Sequence, residues 1–207
     1  ARPRLPAMQT TRRSSLQHIL IVGAWALCLG ACGRSPAAGA RRVVGFAQIG
    51  AESSWRTAET QSIRATAAER GIELKLADAQ QDQSKQIQAL RSFIAQGVDA
   101  ILLAPVVSTG FEPVLREVRA AGIPVVLVDR GIEVADPNLY ATLIASDFQA
   151  EGHMAAEWLV QSCGGTARVV ELEGTPGSDP AIDRSAGFAA GIAAHPKIQV
   201  VRRETAS

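Results

Sequence analysis

A doubly wound α/β fold is predicted for this chain, with parallel strands covered on both faces by helices. Three observations carry that expectation. From Val43 onward, short apolar runs alternate with longer helical stretches. One such stretch, 84–96, sets Ile87, Leu90, Phe93 and Ile94 on one face at spacings of three and four, and Gly71, Gly97 and Gly122 follow the ends of three of them, where helices commonly stop. The composition is that of a soluble globular protein: 47% hydrophobic, 20% charged and only 4% aromatic. It excludes intrinsic disorder, and three cysteines are too few for a disulfide scaffold.

The elements follow in order. An apolar strand at 43–48 runs into the polar loop 50–53, then a helix over about 54–70 stopped by Gly71. A strand is expected at 73–78, where apolar residues alternate, then the helix 84–96, a strand at 100–104, a helix at 111–121 and a strand at 125–128. The pattern continues less regularly with a strand at 139–144, a helix over about 149–162, a strand at 168–172, a helix over about 181–194 and a strand at 199–202. This divides the chain into an N-terminal lobe, 42–145, and a second lobe, 146–207. Ser207 comes just after a strand with no helix to cover it, so the second lobe is expected to be incomplete.

Residues 1–31 read as a signal peptide: Arg12-Arg13, an apolar run over 19–29, then Leu29-Gly30-Ala31-Cys32. The apolar run would span roughly 16 Å as a helix, about half a bilayer core, which disfavours a permanent membrane span. The ending resembles a bacterial lipobox, so Cys32 is the expected lipidation site and 32–41 a flexible tether. The export segment also explains the charge. Of 21 basic residues four lie in 1–31, which holds no acid; the remainder, 17 against 20 acidic, is net −3. Such a body lacks the clustered positive charge that nucleic acid demands. Cys28 would leave with the signal, so Cys163 stands alone and no intramolecular disulfide is expected. His18, His153 and His195 are too scattered for a metal site, the last two reading as helix-surface residues, and no cofactor is expected.

Chemistry in a doubly wound sheet gathers at the carboxyl ends of its strands. Three loops there stand out. Glu52-Ser53-Ser54-Trp55-Arg56 follows the first strand, and its tryptophan offers a flat apolar face and an N–H suited to a sugar, or alternatively caps the core. Asp129-Arg130 ends another strand; the carboxylate can accept from vicinal hydroxyls and the guanidinium can donate to them, or the two form a local ion pair. The Gly- and Pro-rich loop from Gly174 enters a helix whose first turn would hold Asp183 and Arg184, and Arg184 could equally be a solvated helix residue. No phosphate loop, dinucleotide fingerprint or nucleophile elbow is present, and no nucleophile is paired with a histidine, so an enzyme is not expected.

Val43-Val44-Gly45-Phe46 with the Trp55-Arg56 loop, Gly97-Val98-Asp99-Ala100-Ile101 before Ala104-Pro105, Gly122-Ile123-Pro124-Val125 leading to Asp129-Arg130, and Arg184 followed by Gly187-Phe188 together resemble the sugar-binding type I periplasmic proteins of ABC importers. The segments around Gln48, Asp78-Ala79-Gln80-Gln81, Ala104-Pro105-Val106-Val107 and Val170–Thr175 are similar to its galactofuranose-binding branch. The resemblance implies a monomeric two-lobed receptor that closes on a monosaccharide and delivers it to an inner-membrane permease. It implies Trp55 as the stacking aromatic, Asp129 and Arg130 as the hydroxyl clamp and Arg184 as a donor from the second lobe; Glu52 and Arg56 are further candidates. Asp147 could be either structural or ligand-binding. With the second lobe incomplete, this chain would bind sugar more weakly than a complete homologue. A LacI-type regulator shares the core but would carry a helix-turn-helix where this chain has an export signal. Three arginines, Arg56, Arg130 and Arg184, leave an anionic sugar derivative open.

Overall fold

The computed structural model describes residues 41–51 and 53–205, of which 41–205 belong to one compact unit. The expected signal, the lipidation candidate Cys32, all but the last residue of the tether and the site candidate Glu52 lie outside the described residues.

Five parallel strands form the larger sheet: β1 (Val43–Gln48), β2 (Glu73–Asp78), β3 (Ala100–Leu103), β4 (Val125–Val128) and β5 (Thr142–Ile144), in the order β2-β1-β3-β4-β5. Between them run α1 (Ser54–Glu69), α2 (Gln83–Gln96) and α3 (Glu112–Ala120). Because side chains alternate across a strand, β1 sends Ala47 to a core shared with Leu90 and Phe93 of α2 and Val114, Leu115 and Val118 of α3. Its neighbour Phe46 points the other way, to a smaller core that includes Ile63 of α1. The sheet is thus wound on both faces, as the sequence predicts. Asp82 caps α2 by accepting from the Ser84 and Lys85 N–H groups at 2.7 and 3.3 Å, and Gly97 closes it at φ 62°.

The chain continues through α4 (Phe148–Cys163), β6 (Ala167–Glu173), α5 (Asp179–Ile192) and β7 (Ile198–Thr205), with β6 and β7 paired in parallel as a separate sheet. Helices α4 and α5 meet backbone to backbone. A Cβ on Gly152 would lie 2.1 Å from the Arg184 carbonyl oxygen, and one on Gly187 would lie 2.1 Å from that of Gln149. No side chain fits either position.

Several boundaries differ from expectation. The strand predicted over 139–144 is shortened to Thr142–Ile144, because Pro137 opens a 3-10 turn, Pro137–Leu139, whose Asn138 N–H bonds the Asp136 carboxylate at 2.9 Å. Helix α5 begins at Asp179, two residues early, because Pro180 fits a first helical turn. His195 sits in the turn after α5, not on a helix surface, its N–H bonded to the Ile192 carbonyl at 2.8 Å; His153 is exposed on α4. Among the described residues no helix is long and apolar enough to cross a membrane.

Candidate functional site

The order β2-β1-β3 reverses the direction of winding between β1 and β3, which opens a crevice at their carboxyl ends. Gln86 of α2 fixes that point. Fully buried, it donates to the Ala104 carbonyl at 2.7 Å and the Ala47 carbonyl at 3.3 Å, and accepts from the Val106 N–H at 3.0 Å. The Val106 carbonyl in turn accepts from Arg130 Nη1 at 3.0 Å.

Ser53 caps α1 by accepting from the Arg56 N–H, so the loop after β1 delivers Trp55 and Arg56 at the start of a helix. Arg56 is only 4% exposed: Nη1 donates to Glu59 at 2.9 Å and Nη2 to the Asp129 carboxylate. Glu59 also accepts from Gln48 at 2.8 Å. Asp129 has φ 65°, the left-handed region that a non-glycine residue adopts at a cost, and the Arg130 N–H reaches back to the Val128 carbonyl at 2.8 Å in a three-residue turn around it. Strand β5 fixes the same turn, since the Asp129 N–H bonds the Ile144 carbonyl at 2.8 Å. The turn leaves Arg130 Nε 3.9 Å from the Asp129 carboxylate.

From the other side come Phe148 and Glu151 of α4 and Arg184 of α5. Arg184 donates to Glu151 at 2.7 Å, and its guanidinium lies 4.6 Å from the centre of the Phe148 ring. Together with Trp55, Arg56, Asp129 and Arg130 these residues line a cleft of about 350 Å³, within the range of small-molecule sites. A neighbouring cavity of about 560 Å³ shares Trp55, Asp129 and Ser146 and adds Glu59 and Ser62, but is otherwise walled by apolar residues, Ala58, Ile63, Val128 and Ile144 among them, and holds no arginine. Two backbone contacts hold the sides of the smaller cleft together: the Gly131 N–H bonds Asp179 at 2.9 Å, and the Ser108 N–H bonds the Gly177 carbonyl at 2.9 Å.

Five of the six sequence candidates thus meet in one cleft, and the sixth, Glu52, lies outside the described residues. Trp55 is 63% exposed, which answers the alternative of a core tryptophan. The Asp129–Arg130 contact is real but loose, because Asp129 is taken by Arg56. Arg184 is half-exposed yet held by Glu151. Asp147 is structural: its carboxylate caps α4 on the Ala150 N–H at 2.9 Å. Asp183 falls in the second turn of α5 and accepts from Gln149. Sequence reasoning missed Phe148 and Glu151, one turn apart directly after a capping aspartate, a signal that marks a helix start but not its orientation. Among the described residues no group of three or more His, Cys, Asp or Glu could hold a metal.

Residues 44–207 match the periplasmic binding protein domain family. Over 190 residues the chain is 49% identical to the galactofuranose-binding protein YtfQ of Escherichia coli (strain K12), covering 91% of this chain and 58% of that one. A structure of the periplasmic component of the arabinose ABC transporter from Shewanella sp. ANA-3, bound to α- and β-L-arabinofuranose, is 54% identical with a TM-score of 0.76, covering 79% of this chain and 54% of that one. A protein from Mycobacterium smegmatis in complex with β-D-fucofuranose is 51% identical, also with a TM-score of 0.76, covering 79% and 55%. The chain therefore spans somewhat over half the length of the relatives it matches. With the parallel α/β architecture and a family match running from β1 through β7, the chain belongs to the periplasmic binding protein domain family.

Proposed function

We propose that this protein is the solute-binding receptor of an ABC sugar importer, which captures a neutral monosaccharide in its furanose form and delivers it to an inner-membrane permease. The observation that carries the reading is the cleft in which Arg56, Asp129 and Arg130 face Phe148, Glu151 and Arg184. A carboxylate and guanidinium groups on one side can bind vicinal hydroxyls, while the exposed Trp55 offers an apolar face to the ring's C–H groups and Phe148 lines the opposite wall. The furanoses named for the two half-identical structures support the ring form.

Charge supports a neutral ligand. Arg56 is paired with Glu59 and Asp129, and Arg184 with Glu151. Around the cleft each guanidinium already has an acid nearby, leaving no surplus positive charge for a sugar acid or phosphate. Binding without turnover completes the role. Residues 1–31 serve as the export signal, Cys32 as the acylated anchor, 32–41 as the tether, and 42–145 and 146–207 as the N-terminal lobe and part of the second lobe of a monomeric receptor on the outer face of the inner membrane.

Titration calorimetry of the purified protein with L-arabinose and D-galactose tests the function. Saturable binding of at least one is expected; none up to millimolar concentration would overturn it. Loss of lipid labelling in Cys32→Ala tests the anchor.

A further inference from the structure

We infer that Glu59, a residue outside the sugar-contacting set, is the positioning residue that makes this cleft select neutral sugars over sugar acids; the inference rests on the sugar-receptor reading above. Glu59 lies one turn after Arg56 on α1, and its side chain is only 9% exposed. A single oxygen, Oε2, accepts from both Arg56 Nη1 at 2.9 Å and Gln48 Nε2 at 2.8 Å. The other, Oε1, is buried with no hydrogen-bond partner among the described residues. A buried carboxylate with only one oxygen bonded is expensive unless a cation holds it, and Arg56 is that cation.

Two consequences follow from this placement. Arg56 is gripped at Nη1 by Glu59 and at Nη2 by Asp129, so Glu59 fixes the guanidinium that in turn orients the left-handed Asp129. Glu59 also sets a second negative charge, beside that of Asp129, against the buried guanidiniums of Arg56 and Arg130. Removing that charge makes the surroundings of the cleft more positive by one unit, where screening is weak. A carboxylate on the ligand would then meet an attraction that the native protein does not offer.

The test compares D-galactose with D-galacturonate, which differ by a hydroxymethyl or a carboxylate at C6, in the native protein and in Glu59→Gln. The isosteric amide keeps an oxygen to accept from Arg56 and sets its nitrogen where Oε1 already lacks a partner. Calorimetry should show the native protein preferring galactose by at least about tenfold and E59Q shifting that preference toward galacturonate by about tenfold or more. A native protein that binds galacturonate within a few-fold of galactose overturns the inference, as does E59Q with an unchanged ratio. Should E59Q fail to fold, Glu59→Asp decides: continued rejection of galacturonate supports the role of the charge, and its acceptance refutes it. Failure of the native protein to bind any neutral sugar would instead defeat the receptor reading itself.

Discussion

The β1–β5 and β6–β7 regions are built from the same strand-helix alternation yet hold their cleft residues in different ways. In the first, Arg56 and Arg130 are buried, tied to Glu59, Asp129 and the Val106 carbonyl, one in the first turn of α1 and the other just past the end of β4, on a sheet with a large apolar core. In the second, Arg184 is 51% exposed at the side chain, bound by one carboxylate and one ring, on helices whose sheet leaves Val170, Leu172 and Val201 exposed. The difference teaches that one side of the cleft is preorganised by buried polar contacts, while the other rests chiefly on helix packing and on surface pairs. Preorganisation is what lets charged groups bind hydroxyls without first giving up water.

The largest effect is expected where that packing is tightest. Gly152→Ala would drive a Cβ to 2.1 Å from a backbone carbonyl, which no rotamer relieves. The helix pair must separate, costing about 3 kcal/mol, the upper end of the usual overpacking penalty, and carrying Phe148, Glu151 and Arg184 out of position. Thermal melting should fall steeply and sugar binding should be lost; a variant that melts and binds like the native protein would mean that α4 and α5 do not meet so closely.

Next comes a contrast between two arginines. Arg56→Ala strands Glu59 and Asp129 in a nearly dry site, so stability should drop by about 3–5 kcal/mol and affinity with it. Arg184→Ala removes an exposed pair and should cost no more than about 1 kcal/mol of stability while still weakening sugar binding. Melting curves and calorimetry on both variants would break the comparison if the two lost stability equally.

The strands and the first two helices were legible because apolar runs, helical spacing and glycine stops agree with one another there, as in 84–96 with Gly97. The conjunction of Trp55-Arg56, Asp129-Arg130 and Arg184 was legible once motifs were read together, since the first two fall at a helix start and a strand end and the third follows a Gly- and Pro-rich loop into its helix. What stayed hidden is relational. Glu59 and Gln86 look like ordinary polar residues of amphipathic helices, and only the fold turns them inward onto Arg56 and onto the ends of β1 and β3. Gly152 gave no signal either, because a helical glycine reads as a weakness until its neighbour helix is known.

The smallest effect is in acid. The Glu117 carboxyl is held below its ordinary range by hydrogen bonds from Arg91, that of Glu112 by Arg116, and that of Asp136 by the Asn138 N–H and side chain, then Arg119. All three are lowered in the folded protein, so their stabilisation is present above the ordinary carboxylate range and is lost as pH falls through the lowered values. Being surface pairs of the β1–β5 region and remote from the cleft, they should leave only a shallow decline in melting temperature at acid pH and no change in sugar preference. A steep loss of binding there would point to carboxylates of the cleft instead.

A crystal structure of the protein grown with L-arabinose is the most direct test. A furanose ring should lie between Trp55 and Phe148 with adjacent hydroxyls on Asp129 and Arg130, and Arg56 still gripped by Glu59. A sugar bound outside this cleft, or within it without contact to Asp129 or Arg130, would contradict the preorganised clamp.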